Sequence, residues 1–483
     1  MATLTLPLFT QLLSKKGIAP VENFPESPCL VFSEPPDIED RAKIRFILGQ
    51  HIRFKVGQEE QIARLIKHWR AKLSPELDGT NDDNNDDTDN EYLKDLASDA
   101  PVIRMVNHLM ERALDLNASD IHFEPEEKHL KVRCRVDGVM VDIETLPANV
   151  QAAVASRVKL MARLDIGEKR LPQDGRIQYQ MGERTLDMRV STLPGVHGES
   201  IVLRILDRSD VNVSLDQLGM PQGILTQFAR TIQQPHGMVL VTGPTGSGKT
   251  TSLYGTLEKL NTGSKKIITI EDPVEYQLEG ITQIHVNSKI GLTFAAGLRS
   301  IVRQDPDIVM VGEIRDHETA EIGIESALTG HLVFSTLHTN DAAGAITRLQ
   351  DMGIDTYLIS SSLMAVMAQR LVRKVCPHCT EEVPLTEDEA HLLNINLRDC
   401  PTIRRGKGCE RCANTGYRGR LGLYELLLLT DDIRHVINTG GDAGAIKKQA
   451  IQSGMQTLRE DALDKLYHGI TTPEEIIRVT RAF

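Results

Sequence analysis

Apolar and polar residues alternate strictly over residues 130–137. Leu130, Val132, Cys134 and Val136 fall on one side, Lys131, Arg133, Arg135 and Asp137 on the other. A period of two predicts a half-buried strand, with Cys134 a packed core thiol, and Asp137-Gly138 predicts a hairpin turn after it. Around this strand lie a helical pattern over Pro101–Leu116, another near Gln151–Leu164, and a second hairpin. That hairpin pairs Arg176–Gln180 with Arg184–Ser191 about a turn at Met181-Gly182-Glu183, and Ser200–Leu206 adds a strand. Together they predict an α+β domain, assigned to residues 98–212.

From Leu215 the pattern changes to strands alternating with helices. Strands are predicted at Met238–Thr242, Lys266–Ile270, Asp307–Val311 and His331–Thr336, helices at Phe294–Arg303 and Thr319–Thr329. Such alternation predicts an α/β domain built on a doubly wound parallel sheet. It is assigned to 213–483, with a cysteine-bearing insertion (374–416) and C-terminal helices. The first 77 residues read as a small α/β module, with strands at Cys29–Phe32 and Ile52–Lys55 and helices at Ile38–Leu48 and Glu59–Arg70. Between module and α+β domain, Asp78–Glu91 carries seven acidic residues, no basic ones and no aliphatics. It cannot bury enough surface to offset its ordering entropy, so 78–97 is expected to be a flexible linker.

The 483 residues suit about three domains. Aromatics are only 4%, so aliphatic side chains must build the cores, and a formal charge of −12 gives no reason to expect nucleic acid as a partner. No apolar run approaches the roughly 18–20 residues that span a bilayer, and the first residues lack a signal-peptide pattern. The protein is therefore expected in the cytoplasm, reaching any membrane through a docking partner.

The chemistry is concentrated in a few motifs. Gly243-Pro244-Thr245-Gly246-Ser247-Gly248-Lys249-Thr250 matches the phosphate-binding P-loop, with Thr251 following. Glycines there let backbone N–H groups turn toward phosphate oxygens, Lys249 reaches the β- and γ-phosphates of ATP, and the Thr250 hydroxyl ligates Mg²⁺. The apolar strand over 307–311 ends at Gly312, where many P-loop proteins carry a metal-binding Asp, and this leaves Glu313 to orient the attacking water. Glu271, Asp272 and Glu275 follow another strand and can hold metal-bound water. His331 and His338 flank a third, where imidazole can sense the γ-phosphate. Two CxxC knuckles, Cys376/Cys379 and Cys409/Cys412, supply four thiolates for a closed, structural Zn²⁺ site.

The combination resembles the secretion ATPases of the type II secretion and type IV pilus assembly superfamily. It is carried by ASDIHFEP (118–125), RLPQDGRI (170–177), GPTGSGKTT, TIEDPVEY, LRSIVRQDPDIVMVGEIRDHETA, ALTGHLVFSTLHTNDA and the four cysteines. The resemblance implies a RecA-like P-loop motor and a PAS-like domain before it. It also implies a homo-hexamer with ATP between subunits, and Arg189 and Arg204 as the PAS-like domain's nucleotide-facing arginines. The cysteines and the short N-terminal module point to the type II secretion branch. There the module would dock on the cytoplasmic part of an inner-membrane secretion protein, and the motor would drive pseudopilus assembly at an inner-membrane platform protein. Pilus extension, and nucleic-acid translocation on the same fold, stay open as alternatives.

Overall fold

The computed structural model describes residues 18–20, 29–32, 53–57, 62, 65, 100–181, 184–206, 214–398 and 400–480. The chain divides into two compact units, Met1–Asn85 and Asp86–Phe483. In the first, β1 (Ile18–Pro20), β2 (Cys29–Phe32) and β3 (Arg53–Val56) form one sheet, β1 antiparallel and β3 parallel to β2. Leu30, Val31, Phe32, Ile62 and Leu65 are its buried apolar residues. The helix expected at 38–48, most of that at 59–70, the linker 78–97, the turn at 182–183 and the boundary at 212–213 lie outside the described residues.

The second unit begins with an antiparallel sheet of β4 (Ala118–Pro125), β5 (His129–Val136), β6 (Val139–Pro147), β7 (Gln173–Met181), β8 (Arg184–Gly195) and β9 (Gly198–Leu206). Their order is β6-β5-β4-β9-β8-β7. Two helices, α1 (Ala100–Asp115) and α2 (Gln151–Ala162), cover one face, where Val106, Leu109, Val154 and Val158 pack on Ile121, Cys134, Met188 and Leu203. Cys134 is fully buried, and burial pushes its thiol up to about 12. Asp137 and Gly138 both have positive φ, 50° and 84°, the geometry of a type I′ hairpin turn. The opposite face carries the charged residues of the alternating strands.

The second, larger sheet has seven strands: β10 (Gly237–Thr242), β11 (Ile267–Glu271), β12 (Thr282–His285), β13 (Ile308–Val311), β14 (Leu332–Leu337), β15 (Leu363–Val375) and β18 (Tyr417–Leu428). The order is β12-β11-β13-β14-β10-β15-β18, parallel throughout except for β18, which pairs antiparallel with β15. β10 and β14 are buried at every position, as a strand covered on both faces must be. On one face lie α3 (Gln222–Thr231) and α4 (Lys249–Leu260); on the other lie α5 (Phe294–Val302), α6 (His317–Leu328), α7 (Ala342–Asp351) and α8 (Thr356–Ser362).

The long β15 and β18 depart from the sequence reading, which ends its strands at 336. Their burial comes from the C-terminal helices, so no simple alternation marks them. The cysteine module is the excursion between these strands, and includes the ribbon of β16 (Thr380–Pro384) and β17 (Thr402–Gly406) and the short helix α9 (Glu387–Leu393). After β18 come α10 (Asp431–Asn438), α11 (Ala443–Gln452), α12 (Leu458–Tyr467) and α13 (Pro473–Thr480).

Three buried carboxylates dock these last helices. Glu425 of β18 accepts from the backbone N–H of Ala342 at 2.9 Å and of Leu458 at 3.3 Å, so it caps two helices at once; burial still pushes its carboxyl up. Asp461 accepts from the Tyr424 N–H at 2.8 Å and pairs with Lys465. Glu475, 1% exposed, accepts from the Arg373 N–H at 2.9 Å and guanidinium at 2.7 Å, and from Arg478 at 2.8 Å. Burial alone would raise the Glu475 carboxyl, yet Arg478 and Arg373 hold it at about 2.

Replacing Glu475 by Gln leaves Arg373 without its countercharge. The expected loss, read by urea unfolding, is about 3–5 kcal/mol. Because the folded carboxyl lies below its unfolded value of 4.5, the ionised pair stabilises above that pH and its contribution disappears as pH falls toward 2. That part of the acid limb should be missing in Glu475→Gln.

Candidate active site

Parallel strands deliver the loops that follow them to one edge, and the sequence motifs gather there. β10 ends at Thr242 and runs into the glycine loop, where Gly243, Gly246 and Gly248 all have positive φ. α4 starts at Lys249 with no side-chain cap, so its first N–H groups keep the donors an anion needs. Ser247, 3% exposed, has a buried hydroxyl with no hydrogen-bond partner among the described residues. Thr250 is exposed and Thr251 half-buried on the first turn. An uncapped helix start, inward glycines and an orphaned hydroxyl suit a polyphosphate.

Lys249 donates to the carbonyls of Gly243 at 2.7 Å and Pro244 at 3.1 Å. Burial pushes its ammonium down to about 8; the charge of Glu313 opposes that and Arg370 adds to it. Behind the loop stands β15, whose role sequence reading missed. Its Gln369, 2% exposed, accepts from Ser252 at 2.8 Å, and its backbone carbonyl lies where a Cβ on Gly243 would stand, 2.4 Å away.

Glu313 follows β13 and is mostly buried. It pairs with Arg315, and His338 Nε2 lies 3.3 Å from its second oxygen. The strand end at Gly312 is tight: a Cβ there would sit 3.3 Å from the Ile270 carbonyl and 3.4 Å from the Glu271 Cα and the Phe294 ring. A side chain there would need its neighbours to shift by a few tenths of an ångström. His338 is anchored through its neighbour Thr339, whose hydroxyl bonds Thr242 Oγ1 at 2.7 Å.

Other expected residues are placed differently. His331 stands at the start of β14, the far edge of the sheet, and bonds the Ser326 carbonyl at 2.8 Å. A six-residue strand, about 20 Å long, separates that edge from the loop, so His331 does not join the site. Glu271, 3% exposed, turns inward: it accepts from Tyr254, from Thr269 at 2.6 Å and from Gln283 at 3.3 Å, and ties α4 to the sheet. Asp272 and Glu275 are exposed in the loop that follows, and Asp272 acts on Arg315 through its charge. Arg189 and Arg204 stand directly opposite one another on β8 and β9, on the sheet face away from α1 and α2. Arg204 donates to Asp120 at 2.9 Å, and Ser119 bonds the same carboxylate at 2.7 Å. Burial would raise the Asp120 carboxyl; Ser119 and Arg204 hold it low.

Away from the sheet edge, Cys376, Cys379, Cys409 and Cys412 bring four sulfurs within 4.8 Å of one another. Three of the pairs are 3.7–3.9 Å apart. A disulfide needs about 2.05 Å, whereas a tetrahedral zinc with Zn–S bonds of about 2.3 Å separates its sulfurs by about 3.8 Å. The donor set therefore fits one closed Zn²⁺ site.

A family model described as type II/IV secretion system protein matches residues 95–478. The type II secretion system protein E of Xanthomonas campestris is 48% identical over 457 residues, covering 93% of this chain and 81% of that protein. The type II secretion system ATPase E of Vibrio cholerae is 48% identical over 392 residues, 81% of this chain and 78% of that protein. The crystal structure of the pilus retraction motor PilT with bound ADP is similar at a TM-score of 0.52 and 26% identity, covering 77% of this chain and 95% of that one.

Two measurements test this geometry. With its free ammonium at about 8, Lys249 must take up a proton to meet phosphate at higher pH. ATP affinity should therefore fall as pH rises above 8, by up to about tenfold per unit, and in Lys249→Ala, already weakened, this pH dependence should be absent. Metal analysis of protein purified without chelator should find one zinc per chain, lost in Cys376→Ser.

Proposed function

The chain belongs to the type II/IV secretion system protein family, and on that premise we propose that it is a type II secretion ATPase that couples ATP hydrolysis to pseudopilus assembly. The observation that carries this is the convergence of Lys249, Glu313 and His338 on the carboxyl edge of the motor sheet. An ATPase needs these groups together: a cation on the phosphates, a carboxylate to orient water, and a hydrogen-bonder that senses the γ-phosphate.

In this reading residues 243–251 bind ATP through backbone N–H groups, and Lys249 leaves the loop carbonyls for the β- and γ-phosphates. Thr250 and the exposed Asp272 and Glu275 would hold Mg²⁺, which would supply charge neutralisation for the phosphates. Glu271 is reassigned to positioning, since metal binding would cost it three hydrogen bonds. Glu313 accepts the proton of the attacking water, with His338 reporting on the phosphate and Arg315 limiting the carboxylate's swing. Arg189 and Arg204 neutralise the charge of the transferred phosphoryl group across a domain or subunit boundary.

Assembly follows from that last role. A P-loop at an open sheet edge leaves the γ-phosphate to water until a second wall covers it, which favours the homo-hexamer. No helix among the described residues is long and apolar enough to cross a membrane. Work at the inner membrane then requires protein partners. We assign residues 1–77 to docking on the cytoplasmic part of an inner-membrane secretion protein, and the hexamer to pushing a platform protein from the cytoplasm.

Glu313→Gln should bind ATP as the parent does and hydrolyse it about 10²–10⁴-fold more slowly, in phosphate-release and nucleotide-binding assays. Equal losses of binding and turnover would make Glu313 a metal-binding group instead.

A further inference from the structure

One charged row on the antiparallel sheet is longer than the two arginines discussed so far. Arg204 on β9 stands opposite Arg189 on β8, and Arg189 stands opposite Arg176 on β7. All three point to the face away from α1 and α2, since their strand neighbours Leu203, Met188 and Ile177 are core residues on the other side. Asp120 follows in the row, paired with Arg204 on one side and 3.8 Å from Arg135 of β5 on the other. Among the described residues, neither Arg176 nor Arg189 makes an ion pair. Asp174 and Asp187 share their face two residues out of register. Like charges directly across an antiparallel ladder are destabilising, so a row of guanidiniums needs a reason to persist.

Two cavities show what the row faces. One, of about 620 Å³, is lined by Arg176, Arg189, Arg204 and Pro273; the other, of about 950 Å³, by Arg176, Arg189, Glu275, Tyr276 and His285. Arg176 and Arg189 line both, and the motor loop 273–277 supplies the opposite wall. Pro273 adjoins Asp272, whose charge acts on Arg315, the partner of Glu313. Arg176 is also held in place by its backbone. A Cβ on the preceding Gly175 would come within 2.8 Å of the Ala162 carbonyl and the Leu164 side chain, so only glycine lets β7 pack this closely on the end of α2. The Asp174-Gly175-Arg176 triplet thus combines a close approach with a fixed, exposed cation.

We propose that Arg176 is a third arginine for the terminal phosphate of a nucleoside triphosphate, continuing the row of Arg204 and Arg189. The inference rests on reading the cleft as an ATP site. In that reading the glycine loop and α4 hold the proximal phosphates, while the row, whose cavities are walled by the 273–277 loop next to Asp272, meets the terminal one. Its contribution is therefore to ATP and not to ADP.

The test uses the full chain carrying Glu313→Gln, so that ATP persists, and measures ATP and ADP affinity by competition with a fluorescent nucleotide. Adding Arg176→Gln should weaken ATP about tenfold, the value of one charge-assisted hydrogen bond, and leave ADP within about twofold. Arg176→Lys, which keeps the charge without the planar fork, should fall between, and it decides the matter if the Gln protein does not fold. A change of fold would weaken both nucleotides together. Unchanged discrimination in a folded Arg176→Gln or Arg176→Lys protein, while Arg189→Gln loses it, overturns the role of Arg176 alone. Failure of the Glu313→Gln parent to bind either nucleotide overturns the reading of the cleft, and the inference with it.

Discussion

A cation held away from water must be matched by charges placed around it, and Lys249 imposes that requirement on the motor. Its ammonium is largely buried in the glycine loop and leans on two loop carbonyls. Glu313 is the carboxylate whose field stabilises it, and Glu313 is itself shared with Arg315 and His338. The groups that surround a phosphate thus already neutralise one another, and an arriving polyphosphate exchanges partners within a set that is built before it binds. Electrostatic preorganisation of this kind is where P-loop enzymes gain most of their rate.

The parts of this arrangement that could be read from the chain were those with local signatures. Glycines at required backbone angles, apolar runs ending in a carboxylate and paired CxxC knuckles each state their chemistry within about ten residues. The β5 alternation and the Asp137-Gly138 turn were legible for the same reason. What stayed hidden depends on residues far apart. Gln369 looks like any polar residue in a strand until β15 is laid beside β10. Glu271 and Asp272 are adjacent, and only the packing of Tyr254 shows that one turns inward and the other out. His331 and His338 flank the same strand, and strand direction alone decides which is near the phosphates. Arg176 joins Arg189 only through the register of a hairpin.

Among the described residues, the antiparallel domain and the P-loop domain meet through specific contacts, not a broad apolar seam. Asp137, at the tip of the β5–β6 turn, accepts from the Gly419 N–H at 2.7 Å and lies 3.6 Å from Arg420, both on β18 just beyond the cysteine knuckles. The arginine row faces the 273–277 loop across cavities. Polar contacts and gaps of this kind suit two bodies that change their relation during a cycle, since a dry interface would resist separation. A metal in the four-sulfur site would stiffen the support on which Asp137 rests.

The sheet order also bears on how the protein is made. The glycine loop emerges early, yet the strand that backs it comes last but one: Ser252 and its partner Gln369 are 117 residues apart. At roughly 5–20 residues per second, synthesis would present the loop and α4 without their floor for about 6–23 seconds. For most of that interval both edges of β10 are unpaired, because its neighbours β14 (Leu332–Leu337) and β15 (Leu363–Val375) both emerge later. The nascent chain is thus born with its nucleotide loop open on one side, a state in which chaperones would find it and ATP would have little to hold.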